Sequence, residues 1–177
     1  MSVIIANLPK QFEQNGYRFT RLTQGDLKLL RFWLTEPHIA DWWTPPEEEI
    51  AVIESDISSD RINVARYIVS HQGREFGFIQ IYDLAEDEFW QENLQEEGTF
   101  GLQQFIGDPS MIGFGHGTNF IKAFIAGIKG VDGIKKIIVD PAPNNAPAIK
   151  CFSQVGFRKE DDIKTPDGPA VLMGIRL

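Results

Sequence analysis

Three glycines at alternate positions, Gly113, Gly115 and Gly117, stand just ahead of apolar residues at Phe120, Ile121, Phe124, Ile125 and Ile128. That recurrence is the spacing of one buried helical face, so the glycines open a helix. Before them a strand-like run ends at Phe105-Ile106, and Gly107-Asp108-Pro109-Ser110 is a turn signal. A helix start without side chains offers unpaired N–H groups and the positive end of the helix dipole, and both attract anions. The chemistry expected over residues 113–118 is a pyrophosphate cradle. A P-loop needs Gly-Lys-Ser/Thr, but Thr118 and Asn119 follow Gly117. A dinucleotide fingerprint needs G-x-G-x-x-G, and Thr118 occupies the place of its last glycine. Asp140 does stand at the distance of a ribose-binding acid, and a plain glycine turn explains these few residues equally well.

The other chemistry-bearing residues are acidic or aromatic. Asp83–Glu97 holds seven acids and no lysine or arginine, with Trp90 inside it. It is a solvated loop or a lid that attracts a polycation. The net charge of −8 disfavours nucleic acid, which requires a basic face, and favours a cationic small molecule or basic peptide. His38, His71 and His116 are scattered and Cys151 is the one cysteine, so no metal-site spacing arises and no metal is expected. Neither a Ser-His-Asp nor a Cys-His pattern is evident, so no acyl-enzyme is expected. The single cysteine and the short apolar start Val3–Ala6 fit a cytoplasmic protein; a monomer or homodimer is expected. Lys122 and Lys129 interrupt the longest apolar stretch, so no membrane span is expected.

The elements that position these residues follow from periodicity. With 177 residues, one domain is expected, residues 1–16 being a lead-in that offers an extra edge strand. Strands are expected at 17–22, 66–70, 76–82, 100–106, 134–139, from 157, and at 170–175. Thr23-Gln24-Gly25-Asp26 caps a first helix that Pro37 stops, and an acidic helix runs from Glu47 to about Ile57. After the glycine-led helix, Asn145 precedes another at 146–155, with Pro147 in its first turn and Gly156 ending it. Hairpin strands followed by strand–helix alternation give a mixed α/β (α+β) sheet with helices on both faces.

This order, the glycine loop and the ending Val155-Gly156-Phe157 resemble the GNAT N-acetyltransferases over nearly the whole chain. Four words carry a resemblance to the aminoglycoside 6′-N-acetyltransferase branch: PHIADWW (37–43), QFIGDPSMIGFGHGT (104–118), VDPAPNNAPAIKCFSQVGF (139–157) and TPDGPAVLM (165–173). The coenzyme A loop of this family is patterned Gln/Arg-x-x-Gly-x-Gly/Ala. Gly115 and Gly117 fit it, with Ile112 where Gln or Arg is usual. The resemblance implies a mostly antiparallel sheet with a splayed pair of strands, acetyl-CoA as donor, and antibiotic-resistance activity. It implies pyrophosphate over Gly113, Phe114, Gly115, His116, Gly117 and Thr118, and pantetheine along Phe105 and Ile106 with Met111 and Ile112 against it. Asn145, Ala148 and Phe152 would flank the thiol end. Trp42, Trp43, Tyr82, Trp90, Gln103, Asp140 and Asp167 would bind the acceptor, with Asp140 as the base.

Two positions depart from the branch. Gln103 stands where an aspartate binds the reacting amine, and Phe152 where a tyrosine faces the thiol. Neither side chain can exchange a proton. Two alternatives follow: acylation of a hydroxylamine-type siderophore precursor, whose nucleophile needs less of a base, or a non-catalytic acyl-CoA-binding module.

Overall fold

A computed structural model of the chain describes residues 1–59, 62–93 and 96–177. Five strands form an antiparallel meander: β1 (Gln11–Gln14), β2 (Tyr17–Arg21), β3 (Val64–His71), β4 (Arg74–Asp83) and β5 (Thr99–Ile106). Asn15-Gly16 and Gln72-Gly73 turn two of the hairpins with positive φ at both residues, the geometry that matches strand twist. β1 is the edge strand anticipated in the lead-in. The helix α1 (Val3–Asn7), capped by the Ser2 hydroxyl, was not anticipated. β6 (Lys136–Val139) joins parallel to β5, and β7 (Arg158–Thr165) and β8 (Gly168–Arg176) complete the order β1-β2-β3-β4-β5-β6-β8-β7. β8 starts at Gly168 rather than at Ala170, because Pro166-Asp167 alone make the turn and Pro169 already pairs with Lys164.

Strand alternation sends side chains into two cores. Ala65, Tyr67 and Val69 of β3 pack with α6 (His116–Ile128) and α7 (Ala146–Val155), while Ile68 packs with α2 (Leu27–Leu34), α3 (Pro37–Ala40) and α4 (Pro46–Ser58). Phe120, Ile121, Phe124 and Ile128 of α6 are fully buried, each contributing roughly 2 kcal/mol. Asn145 starts α7 by accepting the Ala148 N–H at 3.3 Å, and Gly156 at φ 122° ends it. The acidic stretch is more ordered than a loop. It forms a 3₁₀ turn, Leu84–Glu86, then α5 (Glu88–Asn93), with Leu84 and Trp90 buried; residues 94 and 95 lie outside the described ones. None of the described helices is long and apolar enough to cross a membrane.

The sheet has one gap. β5 pairs with β6 only over Thr99–Gly101, whereas it pairs with β4 from Phe100 to Ile106. The Gly107 N–H donates to the Phe76 carbonyl, which fixes the alternation: Gln103 and Phe105 turn main-chain groups toward β4, and Gln104 and Ile106 turn theirs into the gap. The splayed pair implied by the resemblance is present.

Candidate active site

At one end of the gap lies the helix start. Gly113 and Gly115 adopt φ of 88° and 81°, a left-handed region that side-chain-bearing residues rarely enter. A Cβ at Gly113 would meet nothing within 4 Å, so backbone conformation, not crowding, requires glycine there. No side chain caps α6, and its first main-chain bond runs from the Asn119 N–H to the Gly115 carbonyl. The N–H groups of His116, Gly117 and Thr118 therefore lack helical carbonyls, as an anion cradle requires. His116 turns its ring inward, where Nδ1 and the Tyr17 hydroxyl lie 2.8 Å apart. Burial, and then neighbouring His71, lower its pKa, so the main chain rather than a charged ring faces the cradle. Beside it Met111 is half-buried, while Ile112 and Phe114 are exposed. Cys151 lies beneath Gly117 with Sγ 3.5 Å from the Thr118 hydroxyl, and burial pushes its thiol pKa up, so it is a poor nucleophile.

At the other end two adjoining cavities of about 720 and 300 Å³ share Gln80, Gln103, Asp140 and Asp167. Their walls carry Asp41, Glu48, Glu49, Asp83, Glu86 and Asp87 as well. Among the described lining residues Arg66 is the one basic side chain, and Asp56 neutralises it at 2.8 Å. This cleft is built for a cation.

Asp140, the residue after β6, shows the effect of its setting. Burial first, then the Asp167 and Asp87 charges, push its pKa up to about 6, against the bond from its own main-chain N–H. It is deprotonated at neutral pH yet ready to take a proton, which a turn-capping aspartate would not be. Burial and the same carboxylates hold the Tyr82 phenol well above its usual range, so it remains a neutral donor. Burial also raises the pKa of Glu49.

The cleft gathers Trp42, Trp43, Tyr82, Trp90, Gln103, Asp140 and Asp167 from the expected acceptor set, and Asn145, Ala148 and Phe152 from the donor set. Several expectations need correcting. The Phe105 side chain is buried against Trp33, Trp43 and Phe78 on the opposite core, so only its strand's main chain can serve the gap. Trp43 packs edge-on against Phe78 and Phe105, whereas Trp42 is 44% exposed. Trp90 is largely buried with Leu84 and Ile138. The Asn145 amide oxygen is committed to its helix cap. His38 Nε2 lies 2.7 Å from the Ile106 carbonyl, which can only accept, so Nε2 carries the hydrogen. Sequence reasoning passed over Gln80, Arg66 and Glu49. For the first two the signal was a polar residue inside an apolar strand run, FIQIY and ARYIV.

Residues 23–165 match the family model described as an acetyltransferase (GNAT) domain. Aminoglycoside N(6′)-acetyltransferase type 1 of Klebsiella pneumoniae is 32% identical over 160 residues, which cover 86% of this chain and 79% of that protein. An N-hydroxyputrescine acetyltransferase of Acinetobacter baumannii is 24% identical, over 97% of this chain and 85% of that protein. The crystal structure of aminoglycoside acetyltransferase AAC(6′)-Ib with coenzyme A and kanamycin superposes with a TM-score of 0.80 at 30% identity, covering 90% of this chain and 94% of that one.

Proposed function

The chain belongs to the GNAT acetyltransferase family, and on that premise we propose that it moves an acetyl group from acetyl-CoA to an amine of an aminoglycoside-like cation. The observation that carries this is the gap between β5 and β6, with bare helix N–H groups at one end and a carboxylate-lined cleft at the other. Residues 1–177 act as one domain.

In this proposal the N–H groups of Phe114–Thr118 hold the pyrophosphate. The main chain of Gln104 and Ile106 lies along the pantetheine arm, with Met111 and Ile112 packed on it. Ala148 and Phe152 enclose the thioester, and Asn145 contributes by starting the helix that carries them. Trp42, Asp167, Tyr82 and Gln103 receive the acceptor, with Trp43 and Trp90 backing the wall. Asp140 accepts the proton that the attacking nitrogen sheds as its bond to the thioester carbon forms and the carbon–sulfur bond breaks. Both substrates are held together and no residue is acylated, since Cys151 lies outside the cleft with a raised pKa.

Coenzyme A release across aminoglycosides, polyamines and N-hydroxylated diamines tests this directly. Release with an aminoglycoside is expected. Acetyl-CoA that shifts the melting temperature but is consumed with no amine would leave a binding module, and acetyl-CoA that does neither would remove the cofactor assignment altogether. A second reading has its own support: the neutral amide of Gln103 and the likeness to the N-hydroxyputrescine enzyme favour a hydroxylamine-type acceptor. Preferential turnover of N-hydroxylated diamines would select it.

A further inference from the structure

Three polar side chains cross the sheet in one row. Arg66, Gln80 and Gln103 stand directly opposite one another on β3, β4 and β5, on the face that also carries Ile68, Phe78 and Phe105. Arg66 and Gln80 are 8% and 7% exposed, while Gln103 opens into the cleft. A guanidinium can only donate hydrogen bonds. Arg66 Nε therefore donates to Gln80 Oε1 at 3.0 Å, which leaves Gln80 to present its amide nitrogen onward. Gln80 Nε2 donates in turn to Gln103 Oε1 at 2.5 Å. Asp56 anchors the guanidinium from the far side at 2.8 Å, so a charge at one end fixes the direction of every bond. With its oxygen turned to Gln80, Gln103 has its Nε2 left for the side that opens into the cleft.

We infer that the Arg66–Gln80–Gln103 relay makes Gln103 a dedicated hydrogen-bond donor, selecting acceptors that carry a neutral oxygen close to the reacting amine. The inference rests on the acetyl-transfer proposal and narrows its substrate class to hydroxyl- or ether-bearing amines. An ammonium group placed against the Gln103 N–H would oppose donor to donor, so the cation is directed to Asp140 and Asp167. The oxygen goes to Gln103. An unsubstituted diamine leaves that N–H unpaired once water is expelled, which penalises it.

The test compares 1,5-diaminopentane with 2,2′-oxybis(ethylamine), the same chain with its central methylene replaced by an ether oxygen. Coenzyme A release gives kcat/KM for each, and comparing enzymes cancels the differing basicity of the two amines. Two variants change the relay. Gln103→Glu replaces the donor with an acceptor. Gln80→Glu keeps the bond from Arg66 but offers Gln103 a second carboxylate oxygen, so the Gln103 amide turns over and shows its oxygen to the cleft. Either variant is expected to move the ether-to-hydrocarbon ratio about tenfold toward the hydrocarbon diamine, with acetyl-CoA affinity unchanged. Turnover with the ratio unmoved in both variants overturns this inference and leaves acetyl transfer standing. No release by the unaltered enzyme from any amine overturns both.

Discussion

The ring of Tyr82 lies across Gly101, so a Cβ at position 101 would fall within the phenol. Gly101 is the last residue of β5 that pairs with β6, and Tyr82 lines the cleft that opens beyond it. Gly101→Ala should displace the ring toward Asp140. The expected outcome is a loss of about 1–3 kcal/mol in stability and a several-fold rise in acceptor KM, with acetyl-CoA affinity kept. Thermal melts and initial rates check it, and an unchanged KM would show that the ring has somewhere else to go.

Asp140→Asn should separate rate from stability. As a general base, Asp140 works when deprotonated, so kcat/KM for a fixed acceptor should rise through about pH 6 in the unaltered enzyme. The asparagine variant should lose that limb and about a hundredfold or more in kcat. Stability runs the other way. A carboxyl whose folded pKa exceeds its unfolded value favours folding most at low pH and loses that favour as pH rises from about 4 to 6. Asp140→Asn should therefore melt higher than the parent at pH 8, by about 2 kcal/mol, and show no gain at pH 4. Equal pH–stability curves would refute this account of the site.

The adjacent tryptophans should behave differently. Trp43→Ala removes ring contacts with Phe78 and Phe105 and should cost about 2–3 kcal/mol. Trp42→Ala removes an exposed ring and should change stability by less than about 0.5 kcal/mol while raising acceptor KM. Denaturant melts with steady-state kinetics separate them, and a Trp42 variant with the parent's KM would assign that ring no role in binding.

Gly115→Val places a β-branched residue at φ 81° where α6 begins. The thermal shift given by acetyl-CoA should disappear, whereas the apo melting temperature should fall only by the strain, about 1–3 kcal/mol. A retained shift would mean that the pyrophosphate is held elsewhere.

Local signals made much of this architecture legible. Asn145 and Gly156 bound α7 from sequence alone, and the apolar spacing after Gly117 placed α6, because caps and periodicity act within a few residues. Asn15-Gly16 equally marks the hairpin that makes β1 an edge strand, inside the lead-in of residues 1–16. The Arg66–Gln80–Gln103 row was not readable, since it depends on strand registers linking residues up to 37 positions apart, and no local pattern encodes them. The raised pKa of Asp140 likewise depends on burial first and then on Asp167 and Asp87, all supplied by separate elements. Trp42 and Trp43 differ because only the Trp43 ring reaches Phe78 and Phe105 while Trp42 stays exposed, a contact set by tertiary packing rather than by local sequence.

The bond from His38 to the Ile106 carbonyl ties the helix preceding the tryptophans to the free margin of β5. On the proposed reading that bond couples the strand edge that takes the thioester to the wall that takes the amine, so a thioester settling along one should stiffen the other before any amine arrives.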